Sequence, residues 1–200
     1  MNLASKITYV LLAVGLFGSN AIAQEMPQAS PRSVLKQDVG LTAFEIDYSR
    51  PALRDRVIFE DILSHGELWR AGANKATTLS FNDPVTLGGK EVPAGTYSVF
   101  ILPGKKKWAF ILNKKTDLWG TGDYDSSHDV LRIQQEVKRY PEKRENLSYD
   151  INTIRVESAI LSIRWGKQGI EIPLQVETIE RARKNVQKAL AKASEEDRWK

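Results

Sequence analysis

Apolar and polar residues alternate with a period of two along most of this chain. In Thr42 to Tyr48, Phe44, Ile46 and Tyr48 fall on one face and Ala43, Glu45 and Asp47 on the other. A strand that buries one face and wets the other has this pattern. Val34 to Val39 reads as the strand before it and Thr77 to Phe81 as a strand after it. Val85 to Leu87 and Lys90 to Val92 flank Gly88-Gly89, and a glycine pair supplies the positive φ angles of a two-residue hairpin turn. Thr96 to Leu102 and Lys107 to Asn113 predict a second hairpin around Pro103-Gly104-Lys105-Lys106. Val130 to Val137 can form a strand, and Leu147, Tyr149 and Ile151 alternate. So do Ala159, Leu161, Ile163 and Trp165, and then Ile170, Ile172, Leu174 and Val176. Glu142 to Asn146 reads as a charged connection, and Gly166 to Gly169 as a turn.

Two segments change to helical spacing. Val57 to Leu63 places Ile58, Ile62 and Leu63 on one side, a short helix that Gly66 ends. Thr178 to Ser194 lacks Gly and Pro, and Ile179, Ala182, Val186, Ala189, Leu190 and Ala193 make one stripe opposite a basic face. The expected fold is mainly β: an antiparallel β-sandwich, or a barrel-like relative, over residues 33–176. It has one short internal helix, and residues 177–200 add a C-terminal amphipathic α-helix.

The N-terminus departs from both patterns. Lys6 precedes an apolar run from Ile7 to Phe17, Gly18-Ser19-Asn20 breaks it, and Ala21-Ile22-Ala23 has the small-x-small form of a cleavage site. Residues 1–23 are therefore expected to be a secretory signal peptide, with the mature chain starting at Gln24. The run is shorter than the ~20 apolar residues of a membrane-spanning helix, so no transmembrane segment is expected after cleavage. Residues 24–32, with Pro27, Ser30 and Pro31, read as a flexible leader. The location implied is outside the cytoplasm: the periplasm, the extracellular space or the cell envelope.

Of the 200 residues none is cysteine, which removes disulfides, thiolate metal sites and cysteine nucleophiles from consideration. The formal charge of +4 falls by one when Lys6 leaves, and a balance this small does not point to nucleic acid. Phosphate-cradling loops, dinucleotide fingerprints, zinc-protease motifs and the Gly-x-Ser-x-Gly elbow are missing, so no cofactor is implied.

The chemistry gathers in a few clusters. Leu68 to Thr78 puts an aromatic, a cation, a glycine, an amide and hydroxyls in one short stretch, through Trp69, Arg70, Gly72, Asn74 and Thr77. Tyr48 and Arg50 lie before it, and Asn113, Trp119, Tyr124 and Asp125 after it. An arginine fork can hold a carboxylate or phosphate, and a neighbouring ring can shield that pair. With Gly72 left out, these ten residues are the candidate ligand site. The competing reading gives the same groups structural work: arginines paired with an acid such as Asp47 or donating to loop carbonyls, tryptophans in the core, and Gly72 marking a turn. Asp123, Asp125, His128 and Asp129 lack the spacing of a calcium loop, and no metal site is assigned.

Ser30-Pro31-Arg32, Asp47-Tyr48-Ser49-Arg50-Pro51, Trp69-Arg70-Ala71-Gly72-Ala73-Asn74 with Ala76-Thr77-Thr78, Pro93-Ala94-Gly95-Thr96-Tyr97, Asn113-Lys114 and Trp119-Gly120 to Tyr124-Asp125 occur in order. In these motifs the chain resembles the DUF2911 family over Ser30 to Val176. The resemblance implies an exported β domain of the kind common in Bacteroidetes. It brings no activity, ligand or functional residue with it. The expectation for function is a non-catalytic binding or accessory domain of the periplasm or envelope, taking a small polar or anionic molecule or a glycan. The alternatives are a protein–protein module for an envelope partner, using the C-terminal helix or a strand edge, and an unrecognised envelope hydrolase.

Overall fold

A computed structural model describes residues 26–197, so the expected signal peptide and cleavage site lie outside the described residues. The strands are β1 (Arg32–Val39), β2 (Thr42–Ser49), β3 (Thr78–Phe81), β4 (Val85–Leu87) and β5 (Lys90–Val92), then β6 (Gly95–Pro103), β7 (Lys107–Asn113), β8 (Asp129–Glu136), β9 (Lys138–Asn152) and β10 (Ser158–Gln175). They build two antiparallel sheets, one of six strands in the order β1-β2-β3-β6-β7-β8 and one of four in the order β5-β4-β10-β9. The sheets are open, so the fold is a sandwich and not a closed barrel. The inward residues of both sheets meet in one core that includes Phe44, Ile46, Val99, Phe110, Leu161, Ile163 and Ile172. No helix among the described residues is long and apolar enough to cross a membrane.

Two expectations about the last strands are corrected. Gly166 to Gly169 is not a turn: β10 passes straight through it, with register shifts on either side of Gly166. The reason lies in the sequence parity. Odd residues 159, 161, 163 and 165 are buried before this point, and even residues 170, 172, 174 and 176 after it. A bulge adds a residue to one strand, so the same strand keeps both runs facing the core. Gly166 takes φ +58 there, and a Cβ on Gly169 would lie 2.2 Å from the Ile163 carbonyl oxygen. Glu142 to Asn146 is likewise no connection but the middle of β9, an edge strand of its sheet. Its charged side chains point to water, which suits an edge that must not recruit another strand.

The expected internal helix is a single π-helical turn, Ile58–Ile62, closed by the Leu63 N–H on the Ile58 carbonyl at 2.7 Å. The C-terminal helix α1 (Thr178–Asp197) is present. Its first turn is attached to the sandwich: Arg181 pairs with Asp83, and the Ile179 N–H donates to Glu157 Oε1 at 3.0 Å. From Ala182 to Lys192 its residues are exposed, so α1 does not pack along a sheet.

Candidate functional site

The central stretch leaves the line of β3 and returns to it. Trp69 pairs with Ile101 of β6 through two backbone hydrogen bonds of 2.8 Å. The Val99 N–H donates to the Thr77 carbonyl at 2.7 Å, so Trp69 and Thr77 bracket β6 while residues 70–76 loop outward. The loop is pinned from beneath by buried donors. Ala71, at φ +53, presents a carbonyl that accepts from Tyr149 Oη at 2.7 Å and Thr77 Oγ1 at 3.0 Å. Trp69 stacks on Trp165 with 5.7 Å between ring centroids, and its Nε1 donates to the Gly72 carbonyl at 2.9 Å. Gly72 lies in the bend of residues 71–74, and its φ is not positive. It is glycine because a Cβ would lie 2.6 Å from Thr77 Oγ1.

Most of the residues expected to bind a ligand are thereby occupied. Tyr48 is buried edge-on to Tyr149 at 4.6 Å, and its oxygen accepts from the Tyr149 N–H. Burial raises the Tyr149 phenol far above its ordinary ionisation range, so it remains a donor. Arg50 spans the sheets, donating Nε to the Leu147 carbonyl at 3.1 Å. Asp47, suggested as a partner for an internal arginine, pairs instead with Arg32 at 2.6 Å. Asn74, at φ +59, donates to Ser49 Oγ and to the Ser30 carbonyl, both at 3.3 Å. The segment before β1 is also held by the Arg54 guanidinium on the Ala29 carbonyl at 2.8 Å.

The loop after β7 is organised the same way. Asn113 is fully buried and donates to the Asp125 carbonyl at 2.9 Å and to Asp129 Oδ1 at 2.8 Å. Tyr124 packs on Phe100 and donates to Asp129 Oδ2 at 2.7 Å, while Arg132 donates to both. Burial first, and the Asp129 bond second, push the Tyr124 phenol up to about 12. Asp125 caps a 3-10 turn, Ser126–His128, and the Ser127 backbone N–H holds its carboxyl below the usual range. Leu118 is buried with Ala76, Phe100 and Ile111 in a small second cluster on the outer face of the six-stranded sheet. That cluster was not legible in the sequence. Its one signal is that Phe100 and Ile111 break the polar outer face of the central hairpin.

Of the ten residues, Arg70 and Trp119 have no side-chain hydrogen bond among the described residues, and the fold brings their loops together. Lys75 forms an antiparallel bridge with Trp119, and the Ala76 N–H donates to the Leu118 carbonyl at 3.0 Å. The loop thus lies against the central stretch, where a Cβ on Gly120 would be 3.9 Å from Arg70 Nη1. The Arg70 Nε is buried and has no hydrogen-bond partner among the described residues. Such an orphan N–H costs about 1–3 kcal/mol, a cost that an acceptor arriving from solvent removes. On the paired loop segments Trp119 is 72 % exposed and Lys75 is exposed as well. Cation, fork and open aromatic face together suit an anionic group attached to a flat, partly apolar body. Lys75 and Gly120 enter the site through the backbone bridge, a pairing that the linear sequence does not announce.

Comparison with known proteins gives one family. The family model described as "Protein of unknown function (DUF2911)" matches residues 30–174. No curated protein and no solved structure matches the chain. The ordered motifs and this match agree on the span of the β domain, and the chain belongs to the DUF2911 family of proteins of unknown function.

Proposed function

We propose that this chain is an exported, non-catalytic binding domain of the periplasm or cell envelope that holds an acidic saccharide or a similar small anion at Arg70, Lys75 and Trp119. The observation that carries the reading is an Arg70 Nε buried without a partner among the described residues, in a loop that pairs with the one carrying the exposed Trp119. A carboxylate would complete the guanidinium, and a sugar's C–H face would cover the ring. The signal-like pattern of residues 1–23 supports export. A hydrolase finds less support. Asp47 and Glu45 are ion-paired with Arg32 and Lys36, Asp125 is used as a cap, and Ser127 Oγ and Asp125 meet the same His128 Nδ1, so the acid does not orient the ring for the serine.

A thermal-shift screen of the purified protein tests this, with envelope oligosaccharides, muropeptides, dicarboxylates, phosphates and divalent cations. A ligand at a hundred times its Kd stabilises the folded state by about 2.7 kcal/mol. The expected result is a shift from an acidic saccharide that Arg70→Ala abolishes, while the ligand-free melting temperature stays near that of wild type. A destabilised Arg70→Ala protein, with no shift from any compound, would show that the arginine is structural.

A second reading, an interaction module, is favoured by α1, where Ile179, Val186 and Leu190 are exposed on one stripe. On that reading Val186→Glu lowers the mass seen at sedimentation equilibrium, and an unchanged monomeric mass in both proteins argues against self-association through the stripe.

A further inference from the structure

The solvent face of the four-stranded sheet carries a separate polar cluster. The register of β9 and β10 puts Arg164 opposite Ser148, Ser162 opposite Asp150, and Gly166 opposite Arg144. These side chains, with Tyr140 and Glu171, line a cavity of about 60 Å³. That volume admits a carboxylate-sized group and not a whole sugar ring.

Arg164 is the centre of this cluster. Its guanidinium carbon lies 3.7 Å from the centroid of the Tyr140 ring, so one face of the fork is covered. Its Nε is buried without a hydrogen-bond partner among the described residues. The nearest acid does not supply one. Glu171 accepts from Lys138 Nζ on one oxygen and from Tyr140 Oη at 3.0 Å on the other. Arg144 makes a long contact of 3.4 Å from Nη1 to Ser148 Oγ. Two guanidinium groups therefore face one small cavity with N–H capacity to spare. On its other side stand Asp150, which accepts from Asn152 Nδ2 at 3.2 Å, and the Ser162 hydroxyl, bonded to the same amide at 3.0 Å.

We propose that this cavity is a binding site for the carboxylate of a hydroxylated acid, a sugar acid being the type. Arg164 and Arg144 take the carboxylate, and Asp150, which is exposed, takes a hydroxyl group at the rim. The arrangement discriminates by charge. A phosphate or sulfate carries negative oxygens on every side and would turn some toward Asp150. A uronate has its charge at one end and donors at the other, which matches two arginines facing an aspartate. The stacked, planar fork also favours a planar carboxylate held through two parallel bonds. This site lies on a different sheet from Arg70 and does not depend on the function proposed there.

The test is a titration of the ¹⁵N-labelled protein followed at the arginine Nε–Hε resonances, with Arg164→Lys used to assign the Arg164 signal. Sodium D-glucuronate is the probe, with D-glucose, acetate and inorganic phosphate as comparators. Glucuronate is expected to shift the Arg164 signal saturably, and Arg164→Lys to weaken binding by about tenfold or more, because lysine keeps the charge and loses the fork. Acetate acting as strongly as glucuronate would overturn the role of the hydroxyls. A response to glucose, or a stronger one to phosphate, would overturn the carboxylate. An Arg164 signal unmoved by glucuronate at tens of millimolar would overturn the site altogether, and this arm needs only the wild-type protein. Because the signal belongs to Arg164 itself, binding or its failure at Arg70 leaves it unchanged.

Discussion

Replacing Gly72 with alanine adds one methyl group at the point where the central stretch is packed most tightly. The new Cβ would stand 2.6 Å from Thr77 Oγ1 and 3.3 Å from the Ser49 carbonyl oxygen. Thr77 cannot swing aside freely. It is fully buried, its hydroxyl is bonded to the Ala71 carbonyl, and its own carbonyl accepts from Val99 in β6. Forcing a methyl into such a place costs about 1–3 kcal/mol, and losing the Thr77 hydroxyl bond about 1 kcal/mol more. Alanine returns about 0.4–1 kcal/mol by restricting the unfolded chain. The net expectation is a loss of about 1–3 kcal/mol, or roughly 2–12 °C in melting temperature for a chain of this size. Urea unfolding followed by tryptophan fluorescence measures it, since Trp69 and Trp165 stack beside the loop. Gly122→Ala is the internal control. A Cβ there meets nothing within 4 Å, and its φ is not positive, so its stability should be unchanged or slightly raised. A Gly72→Ala protein within about 0.5 kcal/mol of wild type, or equal effects at the two glycines, would refute the close-packing argument.

Tyr149→Phe removes the donor to the left-handed Ala71 and is expected to cost about 1–2 kcal/mol in the same unfolding assay, with the Tyr48–Tyr149 ring contact retained. Alkaline pH addresses Tyr124 and Tyr140, whose phenols are raised from 10.0 to about 12, in each case first by burial. The unfolded chain loses these protons near 10 while the folded chain keeps them. Their contribution is therefore complete below pH 10 and lost as pH rises through 12. Phenolate absorbance should show these two ionising late, together with Tyr97 and Tyr149, which burial also raises, and denaturation midpoints should fall across this window; a titration complete by pH 10.5, about half a unit above the free phenol, would contradict the buried settings.

The strands were legible because alternation is local: each residue's face is set by its neighbours, and a buried face needs an apolar residue at every second position. The hairpins at Gly88-Gly89 and Pro103 to Lys106 were legible for the same reason. Where two alternating runs differ in parity, the sequence admits either a turn or a bulge. The pairing of Gly166 and Gly169 with Arg144 and Lys138 across β9 decided for the bulge. The charged run Glu142 to Asn146 read as a connection because an exposed edge strand loses the apolar half of the pattern.

The candidate site divides along the same line. Sequence alone identified the clusters that hold irregular backbone, and all ten named residues do lie in or beside those loops. Which of them is free for a ligand depends on donors and acceptors far away along the chain. Tyr149 reaches Ala71 from 78 residues off, and Arg50 reaches Leu147 across 97. Hydrogen-bonding capacity is finite, so each such bond removes a group from ligand chemistry. Of the ten residues, Arg70 and Trp119 are left without a side-chain hydrogen bond among the described residues, and on the other sheet the Arg164 Nε is left without one as well. Composition and periodicity determined that this chain is a β-sandwich with polar loops; only the tertiary contacts decided which of its polar groups still lack a partner.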